Sequence, residues 1–253
     1  MFETKTAEKP KMKYLKDYKK PDFKIDSINL VFDLDENDTQ VASTLKIVSD
    51  YDRSAGVRPL VLDGNRLTFK YIKMDGRELN PDEYEVTPKS LTVFNPPEKF
   101  TLEIGTEIHP KANTQLEGLY YSNGTLCTQN EPEGFRCITY YLDHPDVMSS
   151  FTTTLIADKK KYPVLLSNGN PVETADLPDG RHKVVWNDPF KKPCYLFAIV
   201  GGDLASLHDT YKTKSGRDVQ LGIYVEHGYE NQAAFALESL KRAMKWDEDV
   251  YGL

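Results

Sequence analysis

The sequence predicts a mainly β fold, in which an antiparallel saddle-like sheet or sandwich is followed by a hairpin and one long helix. Three observations predict it. Apolar and polar residues alternate through most of the first 225 residues, which is the period of half-buried strands. Turn-forming dipeptides separate these runs at short intervals, as in antiparallel sandwiches. Near residue 229 the apolar spacing changes to that of a helix.

Short alternating runs define the strands, because every second side chain points to the same face of a sheet. Four such faces are formed by Ile28, Leu30, Phe32 and Leu34, by Val41, Ser43, Leu45 and Ile47, by Phe100, Leu102, Ile104 and Ile108, and by Val219, Leu221, Ile223 and Val225. Two uninterrupted apolar stretches, residues 164–166 and 195–200, predict strands buried on both faces.

Five dipeptides mark turns, because each contains a residue that accepts a positive φ angle. They are Asp75-Gly76, Asn123-Gly124, Asn168-Gly169, Asp179-Gly180 and Ser215-Gly216. The last of them predicts the tip of a hairpin over residues 207–225.

The helix is predicted from residue 229 onward, where apolar side chains recur at helical spacing among good helix formers. The predicted stripe consists of Ala233, Leu237, Leu240, Met244 and Tyr251. A domain boundary is placed near Asp203, so that residues 1–203 form a β domain and residues 204–253 begin a second domain.

The net charge of -7 argues against nucleic acid or an anionic membrane surface as a partner. The first 24 residues contain eight Lys but also four acids and no Arg, and they lack the apolar core of a secretory signal. We therefore expect a solvated, partly disordered leader and a cytoplasmic protein. Cys127, Cys137 and Cys194 form no C-x-x-C pair, which predicts buried free thiols.

Residues 128–147 contain the densest group of polar side chains. Glu131 and Glu133 flank Pro132, which favours a turn or an edge position over a strand interior. From the residues alone, two interpretations stay open: a polar site built on a loop, or a structural loop held by an internal Glu–Arg pair that includes Arg136.

The end of this segment has two further interpretations. Asp143, two residues before Pro145, is suited to the first turn of a short helix. Asp143, His144 and Asp146 also offer metal-binding groups, but ligands so close in sequence rarely converge on one ion, which favours the capping role.

The segment resembles the aminopeptidase N family, which carries Gln-x-Glu, then Arg five residues after the Glu, then Asp-x-Pro. The matching residues are Gln129, Glu131, Arg136, Asp143 and Pro145. The resemblance implies an amino-terminal β saddle followed by a helical, thermolysin-like zinc peptidase domain. It further implies that Gln129 and Glu131 bind the free α-amino group of a peptide N-terminus.

The zinc site of the family is not found in the sequence. None of the five histidines is followed by Glu or repeated four residues later, so no His-Glu-x-x-His motif is present. The resemblance thus implies a full-length parent that uses zinc and a truncated chain that binds no zinc, contains no catalytic residue and is inactive alone. In that interpretation residues 204–253 are the start of the truncated catalytic domain, and the rest of that domain is the missing partner of this chain. We expect the chain to be a monomer.

Two other functions remain open. One is a non-enzymatic scaffold or binding module built on the same β domain, which has no need of an amine clamp such as Gln129 and Glu131. The other is a carbohydrate-binding sandwich, for which Trp186 and Trp246 are not paired on one strand face. If the chain is a truncated peptidase, the helix or the hairpin should expose an apolar patch that would contact the missing domain.

Overall fold

The computed structural model describes residue 12 and residues 14–252. The first eleven residues of the Lys-rich leader, Lys13 and Leu253 lie outside the described residues, so the prediction for the leader is not addressed there. The described strands are β1 (Phe23–Asp33), β2 (Thr39–Ser49), β3 (Leu60–Asp63), β4 (Thr68–Met74), β5 (Arg77–Glu78), β6 (Tyr84–Thr87), β7 (Ser90–Val93), β8 (Lys99–Ile108), β9 (Gly118–Ser122), β10 (Thr125–Gln129), β11 (Met148–Asp158), β12 (Val164–Ser167), β13 (Asn170–Asp176), β14 (Arg181–Pro193), β15 (Ile199–Gly202), β16 (Ala205–Lys212) and β17 (Asp218–Val225). One α-helix, α1 (Glu230–Val250), follows β17.

The largest sheet has eight strands in the order β13-β14-β11-β1-β2-β8-β4-β5. Its neighbours are antiparallel, as predicted, except that β1 and β11 run parallel. A parallel pair needs a long crossover between its strands. The chain between β1 and β11 contains nine further strands, including all of the three-stranded sheet β3-β7-β6.

A four-stranded sheet, β12-β15-β10-β9, packs with the eight-stranded and the three-stranded sheet around a shared hydrophobic core. The predicted alternation is confirmed in β1, β2 and β8. Ile28, Leu30 and Phe32 are at most 1% exposed, and the predicted faces of β2 and β8 are at most 3% exposed. Burying these faces in one core is the main stabilising contribution to the fold.

Two of the predicted turns close two-residue hairpins. Asp75 and Gly76 both have positive φ and connect β4 to β5, while Asn123 and Gly124 do the same between β9 and β10. Such turns match the right-handed twist of the paired strands. The second turn brings β9 beside β10, the strand that ends at Gln129.

The predictions for the two apolar stretches were partly wrong. Strand β12 begins at Val164, but it lies at the edge of its sheet and only Leu165 is buried. Residues 194–196 form a 3-10 turn, and the strand β15 starts later, at Ile199. The stretch is apolar because Cys194 and Phe197 enter the core from a loop, not because a strand buries both faces.

Phe197 belongs to an aromatic cluster between the sheets. The ring of Phe135 has its centroid 5.3 Å from that of Phe197, 5.0 Å from that of Tyr141 and 6.1 Å from that of Phe151, all edge to face. Edge-to-face pairs are a favourable geometry for aromatic rings. The cluster therefore anchors the loop that contains Phe135 to β11.

The hairpin predicted over residues 207–225 is confirmed, with β16 paired to β17 along their whole length. The predicted helical stripe is only partly correct: Ala233 and Leu237 are buried, but Tyr251 is 78% exposed. Near the end of the helix the buried residue is Glu248 instead of Tyr251. The Glu248 carboxylate accepts hydrogen bonds from the Tyr211 hydroxyl and the Lys214 backbone amide.

Helix α1 also exposes large apolar side chains, as predicted for the helix or the hairpin. They are Phe235, Leu240, Trp246 and Val250. None of the described helices is long and apolar enough to cross a membrane. The boundary near Asp203 stays a prediction.

Glu36 is the centre of an ion-pair cluster that joins three loops. Its carboxylate pairs with Lys161 and, at 3.0 Å, with Lys111, and these ammonium groups lower the pKa of Glu36 from 4.5 to about 2. Because the pKa is lower in the folded chain, the pairs stabilise it fully above pH 4.5, and this contribution is lost as the pH falls towards 2.

We therefore expect Glu36→Gln to lower the free energy of unfolding at neutral pH and to have less effect as the pH falls towards about 3. Urea unfolding at a series of pH values measures the difference between the two proteins. Glu98→Gln, at an exposed position, is the control. A difference that stays constant with pH would contradict the assigned ion pairs.

Candidate functional site: an acidic cleft

The motif segment, residues 128–147, connects the end of β10 to the start of β11. Residues 131–134 form a turn, as Pro132 predicts, and Phe135–Cys137 form a 3-10 turn. The predicted short helix beginning at Asp143 is wrong, because the chain runs without a helix from there to β11. The carboxylate of Asp143 instead accepts a hydrogen bond from the Arg136 amide, within the 3-10 turn that precedes it.

Gln129 and Glu131 lie next to each other and are both exposed. The side-chain amide of Gln129 donates a hydrogen bond of 3.2 Å to the backbone carbonyl of Glu131. Within the described part of the chain, the Glu131 carboxylate has no hydrogen-bonding or ion-pair partner. An exposed carboxylate beside an amide is able to receive a cationic group from a ligand.

Asn130, between these two residues, fixes the loop to the core through hydrogen bonds. Its side-chain amide is buried and donates a hydrogen bond of 2.7 Å to the carbonyl of Phe197. Its own carbonyl accepts from the Gly134 amide at 2.9 Å, which closes the turn. Asn130, the first residue after β10, is therefore buried, while Gln129 and Glu131 on either side of it are exposed.

Gly134 fits where no other residue does. A Cβ atom at this position would lie 2.3 Å from the Gln129 carbonyl oxygen and 2.7 Å from the Asn130 Cα, both backbone atoms. The turn and the end of β10 are thus in direct backbone contact.

We expect Gly134→Ala to displace this turn and to lower the free energy of unfolding by about 1–3 kcal/mol, as for overpacked positions. Urea unfolding of the variant measures the loss. Gly124→Ala is the control for added bulk, because a Cβ atom there has no neighbour within 4 Å, although its positive φ adds a cost of its own. An unchanged Gly134→Ala protein would show that the close contact is absent in solution.

The partly buried Arg136 and the buried Asp143 form an ion pair next to the turn. The Arg136 Nε donates to Asp143 Oδ2 at 2.9 Å, and its Nη2 donates to the Asp143 carbonyl at 3.0 Å. The Cys194 thiol donates to the other carboxylate oxygen at 3.0 Å. Burial opposes the charge of Arg136, yet the carboxylates of Asp143, Asp63 and Glu133 raise its pKa above the ordinary value.

Asp63, at the end of β3, joins this pair from a distant part of the chain. Its Oδ1 lies 3.7 Å from Arg136 Nη1, and its Oδ2 accepts a hydrogen bond from the Asp143 amide at 3.2 Å. His144 Nε2 lies 3.7 Å from the same carboxylate. An isolated backbone bridge between Asp63 and Tyr141 holds β3 in this place.

These residues line an open cleft of about 880 Å³, which we call the acidic cleft. Its charged and titratable lining consists of Asp17, Asp63, Glu131, Glu133, Arg136, Asp143 and His144. Tyr14, Tyr18 and Tyr195 also line it. Five carboxylates against one guanidinium give the cleft a negative potential, which attracts a cation such as an ammonium group.

The sequence left open whether this loop is a polar site or a structural loop held by a Glu–Arg pair. In the structure, the ion pair with the shorter distance is Arg136–Asp143, and the Glu133 carboxylate lies farther from Arg136, at 3.6 Å. Glu131 is part of neither pair. Asp143 and Asp146 are engaged elsewhere, since Asp146 accepts a hydrogen bond from the Tyr18 hydroxyl. Asp63, Asn130 and Gly134 were missed by the sequence analysis, because each acts through a contact with a distant residue.

In the described part of the chain, one group of three metal-binding side chains has its donor atoms within 4.8 Å: Asp38, Glu107 and His109. None of them lines the acidic cleft. Glu107 already accepts hydrogen bonds from Gln40 and Lys70. The residues of the cleft therefore do not fit a zinc site.

All three cysteines are free thiols; Cys137 and Cys194 are buried as predicted, and Cys127 is half-buried. Burial raises the pKa of both Cys137 and Cys194, although Arg66 opposes this at Cys137. The two thiols are therefore protonated at neutral pH, as the hydrogen bond from Cys194 to Asp143 requires.

Comparison with known proteins gives a consistent result. The family described as the Peptidase M1 N-terminal domain matches residues 18–196. The aminopeptidase N of Escherichia coli (strain K12) is 49% identical over 247 residues, which cover 98% of this chain and 28% of that protein. The aminopeptidase N of Haemophilus influenzae is 48% identical over 246 residues. The chain thus spans about 28% of the length of these relatives.

Solved structures agree in fold. A Legionella pneumophila aminopeptidase A, solved in complex with aspartic acid, has a TM-score of 0.89 and 38% identity over 95% of this chain and 28% of its own. An M1 zinc metallopeptidase from Deinococcus radiodurans has a TM-score of 0.67 at 15% identity, covering 81% of this chain and 48% of its own, and shows the likeness of fold alone.

Proposed function

Because the chain belongs to the peptidase M1 family, as the N-terminal domain of that family, we propose that it supplies the substrate α-amine clamp of a zinc-dependent aminopeptidase. The observation that carries the proposal is the position of Glu131. Its carboxylate is exposed, lines an acidic cleft and lies beside the amide side chain of Gln129.

The clamp recognises a peptide N-terminus by its charge. The ammonium group of the substrate donates charge-assisted hydrogen bonds to the carboxylate of Glu131 and to the side-chain oxygen of Gln129. A following domain that covers the cleft would exclude water and strengthen these bonds. A peptide without a free amine would leave Glu131 buried and unpaired, and this penalty selects for N-terminal residues.

Zinc and the chemistry of peptide cleavage are assigned to a following catalytic domain. The relatives are about three and a half times as long as this chain, and the residues of the cleft do not fit a zinc site. Zinc, where it is bound, activates a water molecule for attack on the peptide bond. This chain contributes the binding of the amine, which fixes the distance between the N-terminus and the bond to be cut.

The test compares this chain with the full-length protein, using an aminoacyl chromogenic substrate and a measurement of metal content. We expect the longer protein to hydrolyse the substrate with about one zinc ion bound, and this chain to do neither. If the longer protein is inert and free of metal, the domain is a scaffold and Glu131 has no role in catalysis. The monomeric state and the cytoplasmic location stay predictions.

A further inference from the structure

We infer that Arg136 and Asp143 are positioning residues, which keep the acidic cleft open to an ammonium group by holding the Arg136 guanidinium away from Glu131. The inference rests on the proposed amine clamp. It concerns a conflict within the cleft: the carboxylates that would bind the substrate share the cleft with a permanent cation of the protein.

Asp143 fixes the position of the Arg136 guanidinium. Its side chain is 2% exposed, so the carboxylate requires partners. One oxygen accepts from the Arg136 amide and from Arg136 Nε, and the other accepts from the Cys194 thiol. The Asp143 carbonyl accepts from Arg136 Nη2. These bonds fix the plane of the guanidinium from one edge.

The other edge of the guanidinium points to the cleft at longer distances. Arg136 Nη1 lies 3.6 Å from a carboxylate oxygen of Glu133 and 3.7 Å from one of Asp63. Both distances exceed those of hydrogen bonds. Glu133 belongs to the same turn as Glu131, so a closer Arg136–Glu133 pair would pull on the turn that presents the clamp.

The consequence of losing Asp143 follows from this arrangement. The freed guanidinium would move towards the remaining carboxylates and compete with the substrate's ammonium group for them. Its charge cannot be removed by deprotonation, because an arginine guanidinium stays protonated in proteins. Substrate binding would suffer more than the chemical step, since the competitor acts on the free cleft.

The test is a double-mutant cycle in the full-length enzyme with Asp143→Asn, Glu131→Ala and their combination. In the native background, Asp143→Asn should lower kcat/KM for a free-amine substrate about tenfold or more, mainly through KM. In the Glu131→Ala background it should cause less than about a twofold further loss, because the group it protects is gone.

Each outcome decides a separate point. Equal losses in both backgrounds would overturn the positioning role and leave a structural one. If Glu131→Ala itself has no effect, the amine clamp is wrong and the inference fails with it.

Asp188→Asn, which breaks the half-buried Lys192–Asp188 pair of 2.6 Å, is the stability control and should leave KM unchanged. If Asp143→Asn does not fold, Arg136→Lys, which keeps the charge without the fixed plane, replaces it in the same cycle.

Discussion

Replacing Glu131 by alanine in the full-length enzyme is expected to lower kcat/KM by about 30- to several-thousand-fold. The range corresponds to the loss of about 2–5 kcal/mol that follows when one partner of a desolvated charge pair is removed. Steady-state kinetics with an aminoacyl chromogenic substrate measure the loss. The same variant should discriminate less between a free-amine substrate and its N-acetylated analogue, because only the first contains the ammonium group.

Glu85→Ala is the matched control for this prediction. Glu85 is an exposed carboxylate on β6, outside the acidic cleft, so its removal changes the net charge equally. Its kcat/KM should stay close to that of the native enzyme. A loss of less than about threefold in Glu131→Ala would contradict the amine clamp.

Replacing Phe135 by alanine is expected to lower the free energy of unfolding of this chain by about 3–5 kcal/mol, the usual cost of removing a buried ring. Phe135 has no exposed surface and contacts the rings of Tyr141, Phe151 and Phe197. The cavity would lie under the 3-10 turn that positions Arg136, and the surrounding sheets would prevent it from closing.

Urea unfolding followed by tryptophan fluorescence measures this loss, since Trp186 packs against the core. Phe190→Ala removes the same ring at a position that is 81% exposed and should change the free energy of unfolding by less than about 0.5 kcal/mol. Similar values for the two variants would show that the aromatic cluster does not stabilise the fold.

Much of the architecture was predictable from local patterns. The buried faces of β1, β2 and β8 follow from alternation, because a strand half-covered by a core needs an apolar residue at every second position. The hairpins at Asn123-Gly124 and Ser215-Gly216 follow from residues that accept positive φ. Helix α1 follows from its composition and spacing. Gln129 and Glu131, of which Glu131 lines the cleft, were predicted through the spacing of a family motif.

Contacts between distant residues were decided by the tertiary structure alone. Strand β11 pairs in parallel with β1, and Asp63 reaches Asp143 across 80 positions of the chain. The apolar stretch before Ile199 looked like a strand, because a loop that enters the core needs the same residues as a strand buried on both faces. Sequence patterns report which side chains are buried, but which partners they meet depends on how sheets from remote segments close around one core.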